Sequence, residues 1–165
     1  MKAASVKGAA SKEHGTTITF LPDLEIFEEI GFDFDVLVER LRETAFLTRG
    51  LKIELVDERG ETNSVQFQYE GGIEDFVRHL NANKETLHKK PIFFEGEKDD
   101  GAVEIAMQWN NSYQESIFSF ANNINTHEGG THMSGFRAAL TRTLNAYARN
   151  KGLLKETDDN LAGED

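Results

Sequence analysis

Apolar and polar positions change their spacing several times along this chain, and each change marks an element. From Thr16 to Leu21, β-branched and apolar residues alternate until Pro22-Asp23, which predicts a strand and its stop. Further on, Phe34, Leu37, Val38, Leu41 and Ala45 recur at three- and four-residue spacing and fall on one side of a helix ending near Leu47. Asp33 or Asp35 supplies its N-terminal cap and Gly50 its stop. Strands are predicted at Leu51–Asp57 and Ser64–Tyr69, joined as a hairpin across Glu58-Arg59-Gly60-Glu61. Gly71-Gly72 then opens a second helix carrying Ile73, Phe76, Val77 and Leu80. Three more strands are predicted: Ile92–Glu97, Ala102–Trp109 and Gln114–Ala121. Asp99-Asp100-Gly101 and Asn110-Asn111-Ser112 are their turns. A last helix runs from about Thr131 to Lys151, with Phe136, Ala139, Leu140, Thr143, Leu144 and Tyr147 as its apolar stripe.

This order of elements predicts an α+β fold, a mostly antiparallel sheet with helices on one face. Residues 1–14 are small and polar and are expected to form a flexible lead-in. The main domain covers 15–155, and the acidic end 156–165 is expected to be loose.

Composition narrows the class. At 165 residues, 38% of them hydrophobic and 12 of them Phe, the chain can bury a core of its own. No apolar run reaches the ~18 residues of a membrane-spanning helix. The start lacks the apolar core of a signal peptide, so a cytoplasmic protein is expected. Without cysteine, disulfides and thiolate metal sites are excluded. A net charge of −11 argues against clamping of a phosphate backbone, because each neutralised phosphate needs a Lys or Arg.

Candidate chemistry concentrates where the polar run meets the last helix. His127 and His132 flank Glu128-Gly129-Gly130-Thr131, too few ligands for a metal centre, so local hydrogen bonding is the reading adopted. Gly129, Gly130, Thr131 and His132 at a helix start suit an anion. The more economical reading has Thr131 as the cap and the glycines as a tight turn. On that reading Gly130→Val costs about 1–2 kcal/mol through a positive φ, and Thr131→Ala about 1 kcal/mol through the lost cap. Arg137, at the edge of the stripe, is placed to tie the glycine loop to a neighbouring acid. Arg142 and Arg149, seven apart, share an outward face that either meets DNA or is simply solvated, and the net charge favours the second. Trp109 and Tyr113 bracket a turn; hairpin packing explains them better than base stacking. Asp99-Asp100 and Asp158-Asp159 are turn and tail chemistry, and no nucleophile set is recognisable, so no catalytic residue is assigned.

The run from Asn122 to Tyr147, with His127-Glu128-Gly129-Gly130-Thr131-His132 at its centre, resembles the transducer region of the ATP-hydrolysing subunits of type II topoisomerases, DNA gyrase B and topoisomerase IV B. Further pieces match in order: His14-Gly15-Thr16-Thr17-Ile18-Thr19-Phe20-Leu21-Pro22-Asp23, Arg40-Leu41-Arg42-Glu43-Thr44-Ala45-Phe46-Leu47, Tyr69-Glu70-Gly71-Gly72-Ile73 and Gln108-Trp109-Asn110. The resemblance implies the ribosomal protein S5 domain 2-like fold, whose left-handed βαβ crossover no spacing rule would supply. It also implies ATP and Mg in a preceding domain and a Gln-Thr-Lys loop whose lysine reaches the γ-phosphate. This sequence contains no Gln-Thr-Lys, so the resemblance implies a piece of a longer chain, inactive alone and holding no cofactor. Implied partners are the ATPase domain and DNA cleavage core of the same chain, the gyrase A protein, a second copy of gyrase B on clamp closure, and DNA, which the isolated domain binds weakly or not at all. Alternatives are the same region of topoisomerase IV and a stand-alone, non-enzymatic interaction module of this fold.

Overall fold

The helix predicted from the three-four spacing forms over Phe34–Leu47 (α1) in the computed structural model, which describes residues 15–98 and 101–163. The expected lead-in 1–14 and the Asp99-Asp100 pair lie outside the described residues. Asp33 stands just before α1, whereas Asp35 is inside the first turn, where an acid complements the helix dipole. The chain divides into two units, one ending at Phe34 and the other beginning at Asp35.

In the first unit the strand expected at Thr16–Leu21 is not formed. A strand is held by backbone bonds to a neighbour, and this segment has none among the described residues. Ile18, Phe20 and Leu21 stand 72–83% exposed. The turn that stops the segment does form: the Asp23 carboxylate accepts the Glu25 N–H at 2.9 Å, and its carbonyl accepts from Ile26 and Phe27. The Phe32 ring meets Phe20 edge-on at 6.2 Å.

In the second unit Ile53–Asp57 (β1) and Asn63–Phe67 (β2) pair antiparallel as predicted, with Ile53 opposite Phe67 and Leu55 opposite Val65. Period-two alternation turns Ile53, Leu55, Val65 and Phe67 inward. At the hairpin end Arg59 grips Asp57: Nε and the backbone N–H donate to Oδ1 at 2.9 Å, and Nη2 to Oδ2 at 2.8 Å. The guanidinium fork, and then the backbone bond, lower the Asp57 carboxyl to about 2. A folded value below the unfolded one means that this contact stabilises above about pH 4 and is lost as pH falls towards about 2. Urea midpoints measured from pH 5 to pH 2 should therefore fall less steeply in Asp57→Asn than in wild type. Identical slopes would remove Asp57 from the acid response.

Ile73–Leu80 (α2) begins at Gly72 as predicted. Gly72 is buried at φ 60°, ψ −133°, a conformation glycine alone adopts easily, and a Cβ there would lie 2.8 Å from Arg49 Cγ and Nε. α2 packs on Gly101–Met107 (β4), which pairs antiparallel with Ile92–Lys98 (β3). Below this hairpin a polar network holds residues 81–90 against 107–111. Asn81, 9% exposed, donates to Gln108 Oε1 at 3.0 Å and accepts from Asn110 Nδ2 at 2.9 Å. Gln108 Nε2 donates to the His88 carbonyl at 2.7 Å. A carbonyl can only accept, so His88 Nδ1–H donates to Lys90 O at 2.7 Å, and its Nε2 accepts the Trp109 backbone N–H at 3.1 Å. The Gln108-Trp109-Asn110 piece is thus a structural lock. Trp109 leans on His88, ring centres 6.0 Å apart, while Tyr113 is fully exposed. The Asn110 turn forms as predicted, its Oδ1 accepting the Ser112 N–H at 2.9 Å.

Of the strand predicted at Gln114–Ala121, only Phe120–Ala121 (β5) is laddered, to Ile124–Asn125 (β6). Asn122 and Asn123, at φ 49° and 65°, make a two-residue turn between them, a conformation asparagine tolerates better than most residues. One sheet was expected; the described strands instead form three two-stranded antiparallel pairs, and no parallel pair occurs among them. The α+β class and its antiparallel character hold.

The core is an aromatic run. Phe46 of α1, 1% exposed, stacks on Tyr69 at 3.7 Å and on Phe76 of α2 at 5.2 Å; Phe76 in turn meets Phe118 and Phe120 edge-on. Ala45, Phe67 and Ala148 complete the buried apolar set among the described residues.

Thr131–Asn150 (α3) matches the predicted last helix, but its inward face is turned by about one residue. Met133, Phe136, Arg137, Leu140, Thr141, Asn145 and Ala148 face inward, while Ala139, Thr143, Leu144 and Tyr147 of the expected stripe are exposed. The acidic end folds back on this helix. Asn145 exchanges two hydrogen bonds with the Leu161 backbone, at 2.9 and 2.8 Å, so residues near 155–161 are fastened where a loose tail was expected.

Candidate functional site

The connection from β6 to α3 is a tight turn whose geometry differs from the sequence expectation in two ways. Thr126 carbonyl accepts the Gly129 N–H at 2.8 Å, closing a four-residue turn around the exposed His127 and Glu128. The positive φ belongs to Gly129, at 77°, and not to Gly130, whose φ of 165° is ordinary extended backbone. Gly130 is also the N-cap, with no side-chain capping bond, and Thr131 is the first helical residue. Thr131 therefore does not cap the helix as expected; its hydroxyl arrives one position too late to accept from the first turn. Ser134 adds a different bond, Oγ to the Gly130 carbonyl at 2.8 Å. Thr131→Ala should accordingly change the unfolding midpoint by no more than about 0.5 kcal/mol equivalent. A loss near 1 kcal/mol in urea titration would reinstate the cap.

Before this turn the β5–β6 hairpin is extended by hydroxyls. Ser119 Oγ and Thr126 Oγ1 lie 2.6 Å apart, and Thr126 Oγ1 donates to the Ser119 carbonyl at 2.9 Å. His132 Nε2 sits 3.4 Å from Thr126 Oγ1, so His132 braces the turn locally. Among the described residues no three His, Cys, Asp or Glu side chains converge as metal ligands would.

A cleft of about 680 Å³ opens beside the turn. Its walls are the outer side of α1 (Val36, Glu39, Arg40), the stretch from Glu115 to Ser119, the turn itself, and Met133 and Arg137 of α3. Arg137 Nη2 donates to Glu115 Oε1, so the acid it finds is on the facing stretch and not on the glycine loop. Arg40 is paired with Glu43 at 3.4 Å. Both cleft arginines thus already hold carboxylates, which makes the cleft a joint between elements with mixed charge rather than an anion cradle.

The two outward arginines fare differently. Arg142 is exposed. Arg149 directs its guanidinium to the folded-back end: Nε and Nη2 to Asn160 Oδ1, Nη1 to Lys155 O at 2.7 Å and Nη2 to Asp158 O at 2.9 Å. A DNA-facing pair is therefore not assembled; Arg149 is a staple. Sequence reasoning missed Glu115, Met133 and the Ser119–Thr126 pair. Asn122-Asn123, as a two-residue turn signal, could have found the last of these.

Comparison with known proteins matches the geometry as a whole. The family model for DNA gyrase B covers residues 72–165. The chain is 58% identical over 156 residues to the DNA gyrase B protein of Clostridium acetobutylicum, covering 94% of this chain and 24% of that protein. It is 57% identical over 152 residues to the corresponding gyrase B protein of Halalkalibacterium halodurans. The chain thus spans about a quarter of the length of these relatives. Among solved structures, the 43K ATPase domain of Thermus thermophilus gyrase B, crystallised with an aminocoumarin, superposes with a TM-score of 0.71 at 36% identity, over 87% of this chain and 39% of that one. The gyrase B protein of Myxococcus xanthus gives a TM-score of 0.71 at 31% identity, over 78% of this chain and 36% of that one. A family model matching more than half of the residues, and relatives of one kind over nearly all of them, place this chain in the DNA gyrase B family.

Proposed function

We propose that this chain is the transducer portion of a DNA gyrase B protein, passing ATP binding and hydrolysis in a preceding domain to the DNA cleavage and strand-passage core. The observation that carries this reading is the 58% identity to gyrase B over 94% of the chain. The reading includes ATP and Mg in the whole protein, a gyrase A partner, a second copy of gyrase B, and DNA in the complex. It also includes the ribosomal protein S5 domain 2-like fold with its left-handed βαβ crossover.

The reading places nucleotide chemistry outside this chain. The sequence has no Gly-x-x-x-x-Gly-Lys-Ser/Thr loop, and the cleft wall contains no lysine. What the chain offers a relay is a long helix with a glycine turn at its head.

The test uses the intact protein with gyrase A, on relaxed plasmid for supercoiling and on negatively supercoiled plasmid for relaxation. Negative supercoils introduced only with ATP support the reading. Relaxation without supercoiling would assign the chain to topoisomerase IV, and no topological activity would leave the stand-alone module. Calorimetry of this chain with a non-hydrolysable ATP analogue should show no heat; saturable micromolar binding would sink the placement of nucleotide chemistry outside it.

A further inference from the structure

The corner after α1 is a meeting point. Asn123, at the tip of the β5–β6 hairpin, donates to Thr48 Oγ1 at 3.3 Å, and the Gly50 N–H donates to Tyr69 O at 2.9 Å. Between them, Arg49 lays its stem over Gly72 at the head of α2 and carries its guanidinium to the β3–β4 hairpin. There it sits 5.1 Å from the centre of the Phe93 ring, with Nη2 3.8 Å from Glu95 and 3.5 Å from Glu104.

Glu95 and Glu104 are direct cross-strand partners. Like charges directly opposite one another destabilise a hairpin, and Arg49 supplies the cation that both face. The ion pairs are well exposed, at 45% for Arg49 and 64% and 46% for the two acids, so each is weak alone and sensitive to salt. Such a contact does not decide whether the domain folds. It decides how firmly one hairpin is held to the end of α1.

We propose that Arg49 is a positioning residue for the gyrase reaction: by bridging the corner after α1 to Glu95 and Glu104, it makes the β3–β4 hairpin move with α1. The inference rests on the transducer reading above. Its contribution is mechanical linkage, with no contact to nucleotide or DNA.

Two measurements test it. Hydrogen exchange on this chain, with the β1–β2 hairpin as internal reference, should quicken about two- to fivefold in β3 and β4 in Arg49→Gln. Adding Glu104→Gln removes the facing charge and should return exchange to wild type without restoring the bridge. In the intact protein with gyrase A, Arg49→Gln and the double variant should both lose at least about twofold in ATP-dependent supercoiling, with ATP-independent relaxation unchanged. Exchanging the charges, Arg49→Glu with Glu104→Arg, should recover supercoiling. Unchanged exchange in Arg49→Gln overturns the proposal, as does equal loss of both activities, or supercoiling restored together with exchange in the double variant. Should the intact wild type fail to supercoil, the transducer reading falls, and the exchange results still decide whether Arg49 offsets the repulsion between Glu95 and Glu104.

Discussion

Phe46→Ala is expected to lower the stability of this chain by about 3–5 kcal/mol, the largest loss from truncating any side chain of the buried core. Phe46 is 1% exposed and is the hub of the aromatic run, in contact with the rings of Tyr69, Phe76 and His79. Truncation removes the transfer free energy of the ring and leaves a cavity whose lining is aromatic and stiff, so the site collapses poorly. The apolar core among the described residues is short: Ala45, Phe46, Phe67, Phe76 and Ala148. An exposed ion pair such as Arg40–Glu43 contributes at most about 1 kcal/mol, so surface contacts cannot offset the loss. Urea denaturation followed by the single Trp109 gives the number, with Phe46→Leu as the milder control. A loss under about 1 kcal/mol for the alanine variant would mean that stability resides elsewhere than in this cluster.

The parts of the fold legible in the sequence are those held by local rules. α1, α2 and the β1–β2 and β3–β4 hairpins lie within a few residues of where apolar period, glycines and turn residues put them. The errors share a cause: each needed information about a neighbour. Thr16–Leu21 and Gln114–Ser119 have strand composition but no ladder partner among the described residues. For α3, hydropathy favoured Leu144 and Tyr147 as inward positions, yet packing turned in Asn145 and Ala148, because Asn145 could satisfy both its amide groups on the returning chain at Leu161, its Nδ2 also donating to the Thr141 carbonyl of its own helix. Phe46 escaped the predicted α1 stripe for the same reason: it points towards α2 rather than along the Ala45 side. At the candidate site, the glycine pair and Arg137 were recognisable by type, but which glycine carries the positive φ, and which acid Arg137 finds, are properties of the turn and of Glu115, 22 residues away.

On the transducer reading proposed above, that distinction between the two glycines predicts a functional difference. Gly129→Ala is expected to cost about 1–2 kcal/mol, because an L-residue at φ 77° brings its Cβ too close to the following carbonyl. The added methyl carbon would also lie 2.7 Å from Met133 Cε, but that is the far end of a flexible side chain and yields readily. Backbone strain is therefore the larger effect. At Gly130 the order is reversed: the extended backbone accepts any residue, and the 2.7 Å approach to the His132 ring is relieved by rotating the ring, so Gly130→Ala should stay within about 0.5 kcal/mol. If the turn serves only stability, Gly129→Ala in the intact protein should reduce ATP-dependent supercoiling and ATP-independent relaxation equally. If it sets the angle at which α3 is presented to neighbouring domains, supercoiling should fall several-fold while relaxation stays near wild type, since a displaced helix head spoils the relay and leaves the cleavage core intact. We expect the second outcome, with Gly130→Ala matching wild type in both assays. Both activities are read on the same purified proteins, normalised to folded fraction. A Gly130→Ala variant as impaired as Gly129→Ala would show that crowding by His132, and not the left-handed residue, governs the turn.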